Sequence, residues 1–530
     1  MASTWLGTHY VAVRFDDVLV RFDRRMTSAA DRVLRPRPRR DWLLAPGLVL
    51  LVAAALRLFA LDRVGLNSDE AVYAGQSASL ADNPHFTPLF PIVRAHPLTM
   101  QLLMSPFYRT GVPDVPGRYV AALFGVGTVA LVYVLGSVMY GPRVGLVASA
   151  VLAVMPYHVI VSRQIMLDGP MAFFATAALT CLALAASGPA RNGWLIAAGG
   201  FIGLAALTKE TAFTLAVAAF VFLSLVNFLW RPARFPLIGA GAALLLTLVY
   251  PIVTSVSGGS GGGQSYLLWQ LTRQPNHDFS FYPVVVGASM GFAVLLVAAL
   301  GVLMPRLTGR RFTWREMLLL SWVLVPLLFF VVWPVKGFTY LMPLAPAVAV
   351  LAARTLLPLP AKLTTHRRRL VAALIAVVTF ASLLVPAVEG VMRPTRSGLA
   401  GAGGVPGGRE AGRWVNTHVP FGARLMTIGP SMANILQYYS ARHCDGLSVS
   451  PNPLHRNPSY HAIANADAEL RNGDYQYVVW DVYSARRSPH FAARAMDLVH
   501  RYSGRAVYTG AQIEGGRPVR QVIVIYQVIP

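Results

Sequence analysis

Apolar stretches long enough to cross a bilayer recur along this chain, and that recurrence limits the folds open to it more than any other feature. A hydrocarbon core of about 30 Å takes roughly 20 helical residues to span. About eleven such stretches can be marked, over residues 42–61, 117–139, 143–162, 170–187, 193–208, 211–230, 235–256, 282–304, 314–333, 338–357 and 370–388. Composition agrees: 55% of the 530 residues are hydrophobic and only 13% charged, against about 25% charge in ordinary soluble domains. The expected fold class is a polytopic α-helical membrane protein with a small C-terminal α/β soluble domain.

Short loops rich in Lys and Arg stay on the cytoplasmic side of a membrane. The N-terminal segment carries Arg14, Arg21, Arg24, Arg25, Arg32, Arg35, Arg37, Arg39 and Arg40. With alternating spans, the loops holding Arg306, Arg310, Arg311 and Arg315, and Lys362 with Arg367, Arg368 and Arg369, share its side. This predicts a multi-pass plasma-membrane protein with a cytoplasmic N-terminus, an outer loop over residues 62–116 and a C-terminal part on the outer face. The first stretch lies too far from the start, and is too poorly followed by a small-residue cleavage site, to read as a signal peptide. The net charge of +23 reflects the positive-inside bias in large part, and no nucleic-acid module accompanies it, so DNA and RNA are set aside as partners.

Four segments follow from these shifts in character: a basic cytoplasmic segment 1–41, a transmembrane domain 42–388, a glycine-rich linker 389–408 and an exported domain 409–530. Residues Tyr10 to Val20 read either as an amphipathic surface helix or as part of a positive-inside tail. The tract Ser257 to Gly263 reads as a hinge, a lid or a plain connector. Beyond the linker, β-like runs at Arg424–Ile428, Tyr475–Trp480 and Val519–Tyr526 alternate with helical segments at Glu410–Thr417 and Phe491–Tyr502, the pattern of an α/β unit. Its aromatics Trp414, Tyr438, Tyr439, Tyr460, Trp480 and Tyr483 suit a core or a platform for an acceptor glycan. The two cysteines, Cys181 in a span and Cys444 in the terminal domain, are not expected to meet.

Ionisable groups beside a membrane are costly and therefore mark candidate sites. Four clusters qualify, all on the predicted outer side. Asp69 and Glu70 follow the first span, where a carboxylate can cap a helix start or act as a general base. Arg94, His96 and Pro97 lie later in that loop, and His96 suits substrate binding, a metal or a turn. With His85 in the same loop a divalent metal ion is left open as a cofactor, with Glu70 and His96 as candidate ligands, although no spacing matches a ligand motif. The hairpin Ser162–Pro170 holds Arg163 and Asp168, and the hairpin Leu207–Thr211 holds Lys209 and Glu210; each pair reads either as functional or as self-neutralising. A further cation, Lys336, opens a run that includes Tyr340.

In this order, the Asp69–Glu70 pair, His96 with Pro97, the Arg163–Pro170 hairpin, the Gly203–Glu210 run and the Tyr340–Pro346 run resemble the GT-C superfamily of membrane glycosyltransferases. The branch indicated contains the protein O-mannosyltransferases and the bacterial aminoarabinose transferases that modify lipid A. The resemblance covers roughly residues 41–388, and a single proline follows His96 where many relatives have two. It implies an inverting transferase that takes a sugar from a polyprenyl-phosphate donor, held among membrane lipids, and delivers it to a protein, lipid or cell-wall glycan acceptor at the outer face. By similarity Asp69 takes the role of base, with Glu70 orienting the acceptor or a metal. Arg163, Lys209 and Lys336 become candidates for the donor phosphate, Asp168 is expected to fix Arg163, and His96 and Tyr340 line the substrate site. Two other classes compete: a transporter or flippase, which would place ionisable groups near the bilayer midplane, and a scaffold whose exported domain binds a partner.

Overall fold

A computed structural model of the chain describes residues 41–92, 96–109, 111, 113–188, 191–226, 234–256, 269–270, 272–307, 309, 312–357, 366–457, 459–514 and 517–529. The arginine-rich segment 1–40 with its Tyr10–Val20 stretch, Arg94, the glycine tract 257–263, Arg310, Arg311 and Lys362 lie outside the described residues.

Among the described residues, each marked apolar stretch falls largely on helix. In chain order these are Asp41–Leu58, Val115–Tyr140, Pro142–Val154 with Pro156–Ser162, Asp168–Ser187, Arg191–Thr208, Phe213–Leu225, Arg234–Val256, Gly287–Met290 with Phe292–Leu307, Trp314–Val332, Ala345–Leu356 and His366–Met392. Among the described residues, four helices are long and apolar enough to cross a membrane, or six if each bent pair counts as one span. Four shorter apolar helices stand beside them. The architecture is therefore a polytopic helical bundle, while helix length alone does not deliver the count of eleven. Leu44, Leu48 and Leu51 on the first helix face outward and exposed, as a lipid-contacting surface requires.

One break in the bundle prepares the site. Pro156 has no N–H for the carbonyl of Leu152, so the third apolar stretch bends by 61° where the helical ladder fails. Arg57, fully buried on the first helix, donates to the carbonyls of Leu152 at 3.2 Å and Ala153 at 2.9 Å. Arg163, at the far end of the bent helix, returns the arrangement by donating to Leu56, Phe59 and Ala60 at the end of the first helix. Two arginines thus satisfy backbone that lipid would leave bare. A second break, of 96°, falls at Gly291, whose φ is +90° and where a Cβ would sit 2.5 Å from Leu383, so only glycine fits.

The terminal unit is a five-stranded sheet: β1 (Arg424–Thr427), β2 (His443–Gly446), β3 (Tyr477–Asp481), β4 (Arg505–Glu514) and β5 (Arg517–Gln527). Their spatial order is β2-β1-β3-β5-β4. β1 runs parallel to β2 and β3, while β5 is antiparallel to β3 and β4. The sequence pattern marks β1, β3 and β5 but not β2, which is only four residues long, or β4, whose pairing is interrupted by bulges and contains Gly510. The helices Gly408–His418 and Pro489–Arg501 lie where the pattern puts them. Cys181 and Cys444 are both free and buried.

This unit does not hang from the bundle. Its helix Pro430–Ser440 packs along helix Ser68–Leu80 of the 62–114 loop, and one apolar cluster combines Leu66, Ala71, Phe86, Phe90 and Tyr108 of the loop with Ile435, Tyr438 and Tyr439 of the terminal unit. Tyr438 and Tyr439 are therefore core. The glycine-rich stretch is also engaged, since the carbonyl of Gly401 accepts from Gln164 at 2.7 Å.

Candidate active site

The site begins with a helix cap. The Asn67 side chain accepts from the backbone N–H groups of Asp69 and Glu70, both at 3.0 Å, and Glu70 returns a bond to the N–H of Asn67, a complete capping box that opens helix Ser68–Leu80. Successive residues on a helix diverge by about 100°, so the box turns its two carboxylates in different directions. Of the two roles open to this acidic pair, capping falls to Glu70.

Glu70 is 1% exposed and saturated. Its Oε1 accepts from Arg118 Nε at 2.8 Å and Ile165 N at 3.0 Å; its Oε2 accepts from Arg118 Nη2 at 2.7 Å and Asn67 N at 3.0 Å. All four of its acceptor positions are in use. Arg118 spends its other contacts on the carbonyls of Leu61, Val64 and Gly65. The pair locks the loop to the start of helix Val115–Tyr140.

Asp69 stands on the opposite side. Its side chain is exposed although protein surrounds it on several sides. The surrounding protein raises its carboxyl above the usual carboxylate range, with Lys209 and His96 pulling it back down and Asp168 and Glu70 adding to the rise. Those neighbours arrive from separate elements. His96 Nδ1 lies 2.7 Å from Glu210 Oε2, and its ring meets Tyr73 edge-on at 6.2 Å. Thr99 donates to the carbonyl of Leu207 at 2.7 Å, so the loop and the hairpin are joined twice. Lys209 Nζ grips both oxygens of Asp168, at 2.8 and 2.9 Å, and lies 5.0 Å from the centre of the Tyr340 ring. Burial opposes the charge on Lys209, but the Asp168 carboxylate more than offsets it and holds the ammonium above the usual lysine range.

The two hairpins have exchanged partners relative to the sequence expectation. Asp168 fixes Lys209 rather than Arg163, whose donors go to the carbonyls that end the first helix. Glu210 serves His96 rather than its neighbour Lys209. Asp69, His96, Asp168, Lys209 and Tyr340 come together, whereas Glu70, Arg163 and Lys336 are engaged elsewhere. Lys336 donates to the carbonyls of Val331 and Trp333 at the end of helix Trp314–Val332 and lies over the Phe279 ring at 5.1 Å, a cation at a helix C-terminus.

The profile of the dolichyl-phosphate-mannose-protein mannosyltransferase family matches residues 95–254. No curated protein sequence matches the chain. Among solved structures, ArnT from Cupriavidus metallidurans in the apo state aligns with a TM-score of 0.64 at 16% identity, covering 90% of this chain and 97% of that one. ArnT bound to undecaprenyl phosphate gives 0.62 at 18% identity over the same shares. The archaeal oligosaccharyltransferase AglB from Archaeoglobus fulgidus, in complex with an inhibitory peptide and a dolichol-phosphate, gives 0.59 at 16% identity over 91% and 75%. The chain has the GT-C fold.

Within this GT-C bundle, Glu70 and His96 do not converge as metal ligands, and among the described residues no three His, Cys, Asp or Glu side chains gather to hold an ion. Glu210, named in the sequence only as a partner for Lys209, orients His96, and the structure adds two residues that the sequence reading did not single out. Arg118 neutralises Glu70, and its placement just inside an apolar stretch was a readable signal of a buried charge. Arg273 stacks on Trp269 at 4.6 Å and comes within electrostatic reach of Tyr340, bringing a second cation toward Lys209. It lies in a polar connector, and nothing in the sequence marks it.

Proposed function

We propose that the chain is an inverting glycosyltransferase that moves a sugar from a polyprenyl-phosphate carrier to a hydroxyl on a protein, lipid or cell-wall glycan. The reading rests on one observation above all: Asp69 is an exposed carboxylate, with a proton affinity raised by its surroundings and cations close by. A carboxylate of that kind takes the proton of an acceptor hydroxyl as its oxygen attacks the anomeric carbon. The bond from that carbon to the carrier phosphate breaks, and the phosphate leaves with the electron pair. Lys209 and Arg273 stabilise the departing charge, with Asp168 holding Lys209 in place and the Tyr340 ring beneath it. Because phosphate leaves readily once its charge is met, no second carboxylate acting as acid is required, in contrast to glycoside hydrolysis.

Asp69 lies on the loop that the terminal domain packs against, and we place this side at the outer membrane surface with the N-terminus cytoplasmic, as the arginine bias indicates. A lipid-linked donor reaches such a site with its tail still in the bilayer. The fold shared with a structure of ArnT bound to undecaprenyl phosphate supports this donor class. Asp69, Asp168 and Lys209 all sit at helix ends rather than along the middle of a span, which favours transfer over a transport path.

The test is transfer of radiolabel from polyprenyl-phosphate sugars in membranes containing the wild type or Asp69→Asn at matched expression. Loss of transfer by about 10²–10⁴-fold, the usual contribution of a general base, with donor binding retained, is the expected result. An Asp69→Asn protein as active as the wild type would overturn the assignment.

A further inference from the structure

The terminal domain reaches the candidate base through Asn434. This residue of helix Pro430–Ser440 is 5% exposed. Its Nδ2 donates to Ser68 Oγ at 3.0 Å and to the Tyr460 hydroxyl at 3.3 Å. Ser68 is the first residue of the helix that carries Asp69. The cap is already complete without Asn434, because Asn67 serves the N–H groups of Asp69 and Glu70. The bond to Ser68 therefore does not close the helix; it ties the helix start to another domain.

Five more bonds surround it. Arg409 donates to the carbonyl of Asp62 at 2.8 Å and meets Asp114 at 3.2 Å; Leu66 N donates to the Tyr439 hydroxyl at 2.8 Å; Gln437 donates to the carbonyl of Leu89 at 2.7 Å; and the Tyr438 hydroxyl donates to the carbonyl of Pro113 at 3.2 Å. They grip both ends and the middle of the loop, and only the Asn434 bond falls beside Asp69. A catalytic group has to be held within roughly 0.5 Å of its productive place by such supporting contacts.

We infer that Asn434 is a positioning residue for Asp69, which makes the terminal domain part of the transfer machinery. The inference rests on Asp69 being the base. Full-length protein in liposomes, supplied with a radiolabelled polyprenyl-phosphate sugar that the wild type uses, tests it. Asn434→Ala lowers kcat about 10-fold, part of the ~10²-fold that a 1 Å misplacement can cost, while KM for the donor is unchanged. Ser68→Ala has the same effect, and the double variant is no worse than either single one, because both delete one bond. Asn434→Asp recovers part of the rate, since the Ser68 hydroxyl can donate to the new carboxylate. Tyr438→Phe, which removes a docking bond away from Asp69, leaves kcat unchanged. Hydrogen exchange over residues 64–72 rises in Asn434→Ala.

Wild-type kcat in Asn434→Ala, multiplying losses in the double variant, or an equal loss in Tyr438→Phe would each overturn the inference. If Asn434→Ala does not fold, the partial rate and exchange of Asn434→Asp decide the matter in its place. An active Asp69→Asn would sink the base itself, whereas an inactive Asp69→Asn beside a fully active Asn434→Ala would sink only the positioning role.

Discussion

Asp69 and Glu70 are chain neighbours in opposite environments. On the Glu70 side, the charged groups are spent on structure: Arg118 closes on the carboxylate and the loop carbonyls, and Arg163 covers the end of the first helix. On the Asp69 side, the Lys209–Asp168 pair is buried, but the His96–Glu210 pair stays open, with His96 21% and Glu210 36% exposed, and Asp69 itself is exposed. A charge satisfied to capacity holds structure. One left in a cleft, its proton affinity shifted and its carboxylate reachable, is available for chemistry.

The sharpest way to break this contrast is to remove Glu70. Glu70→Ala strands the buried Arg118, and losing one partner of a buried pair costs about 3–5 kcal/mol. We expect a large fall in Tm and in recoverable protein in detergent, while Asp69→Ala keeps its Tm and loses transfer. A Glu70→Ala protein of wild-type Tm would mean that the Glu70–Arg118 pair is not what holds the loop.

A smaller effect sharpens the open side. A base has to be ionised, so activity is lost as pH falls through the raised pKa of Asp69, above the usual carboxylate range. Lys209 holds that pKa down. Lys209→Met therefore moves the acid limb of the kcat/KM profile to higher pH, besides weakening donor binding and leaving the buried Asp168 without its partner. A limb that stays in place, or moves to lower pH, would separate Lys209 from Asp69.

The smallest effect belongs to the half-open pair. His96→Gln keeps a donor near Glu210, and a solvent-screened contact of this kind contributes about 1 kcal/mol or less. Thermal melts should change little and transfer should fall modestly. A collapse of stability would move His96 from the cleft to the framework.

Hydropathy and charge were sufficient to recognise the helical bundle, the terminal α/β unit and the acidic pair after the first span, because each is written locally. The cost of placing a residue in lipid accumulates along a short window, and strand alternation needs only a few residues. Partner choice is not written locally. Glu70 and Arg118 are 48 residues apart, Lys209 and Asp168 41, His96 and Glu210 114, and Asn434 and Ser68 366. The sequence named most of these groups, yet which carboxylate would be sealed, which cation would face the cleft and which domain would steady the base depended on where the broken helices and the docked sheet unit brought their ends together. Electrostatic pairing acts over a few ångströms of space, and only the fold converts distance along the chain into that proximity.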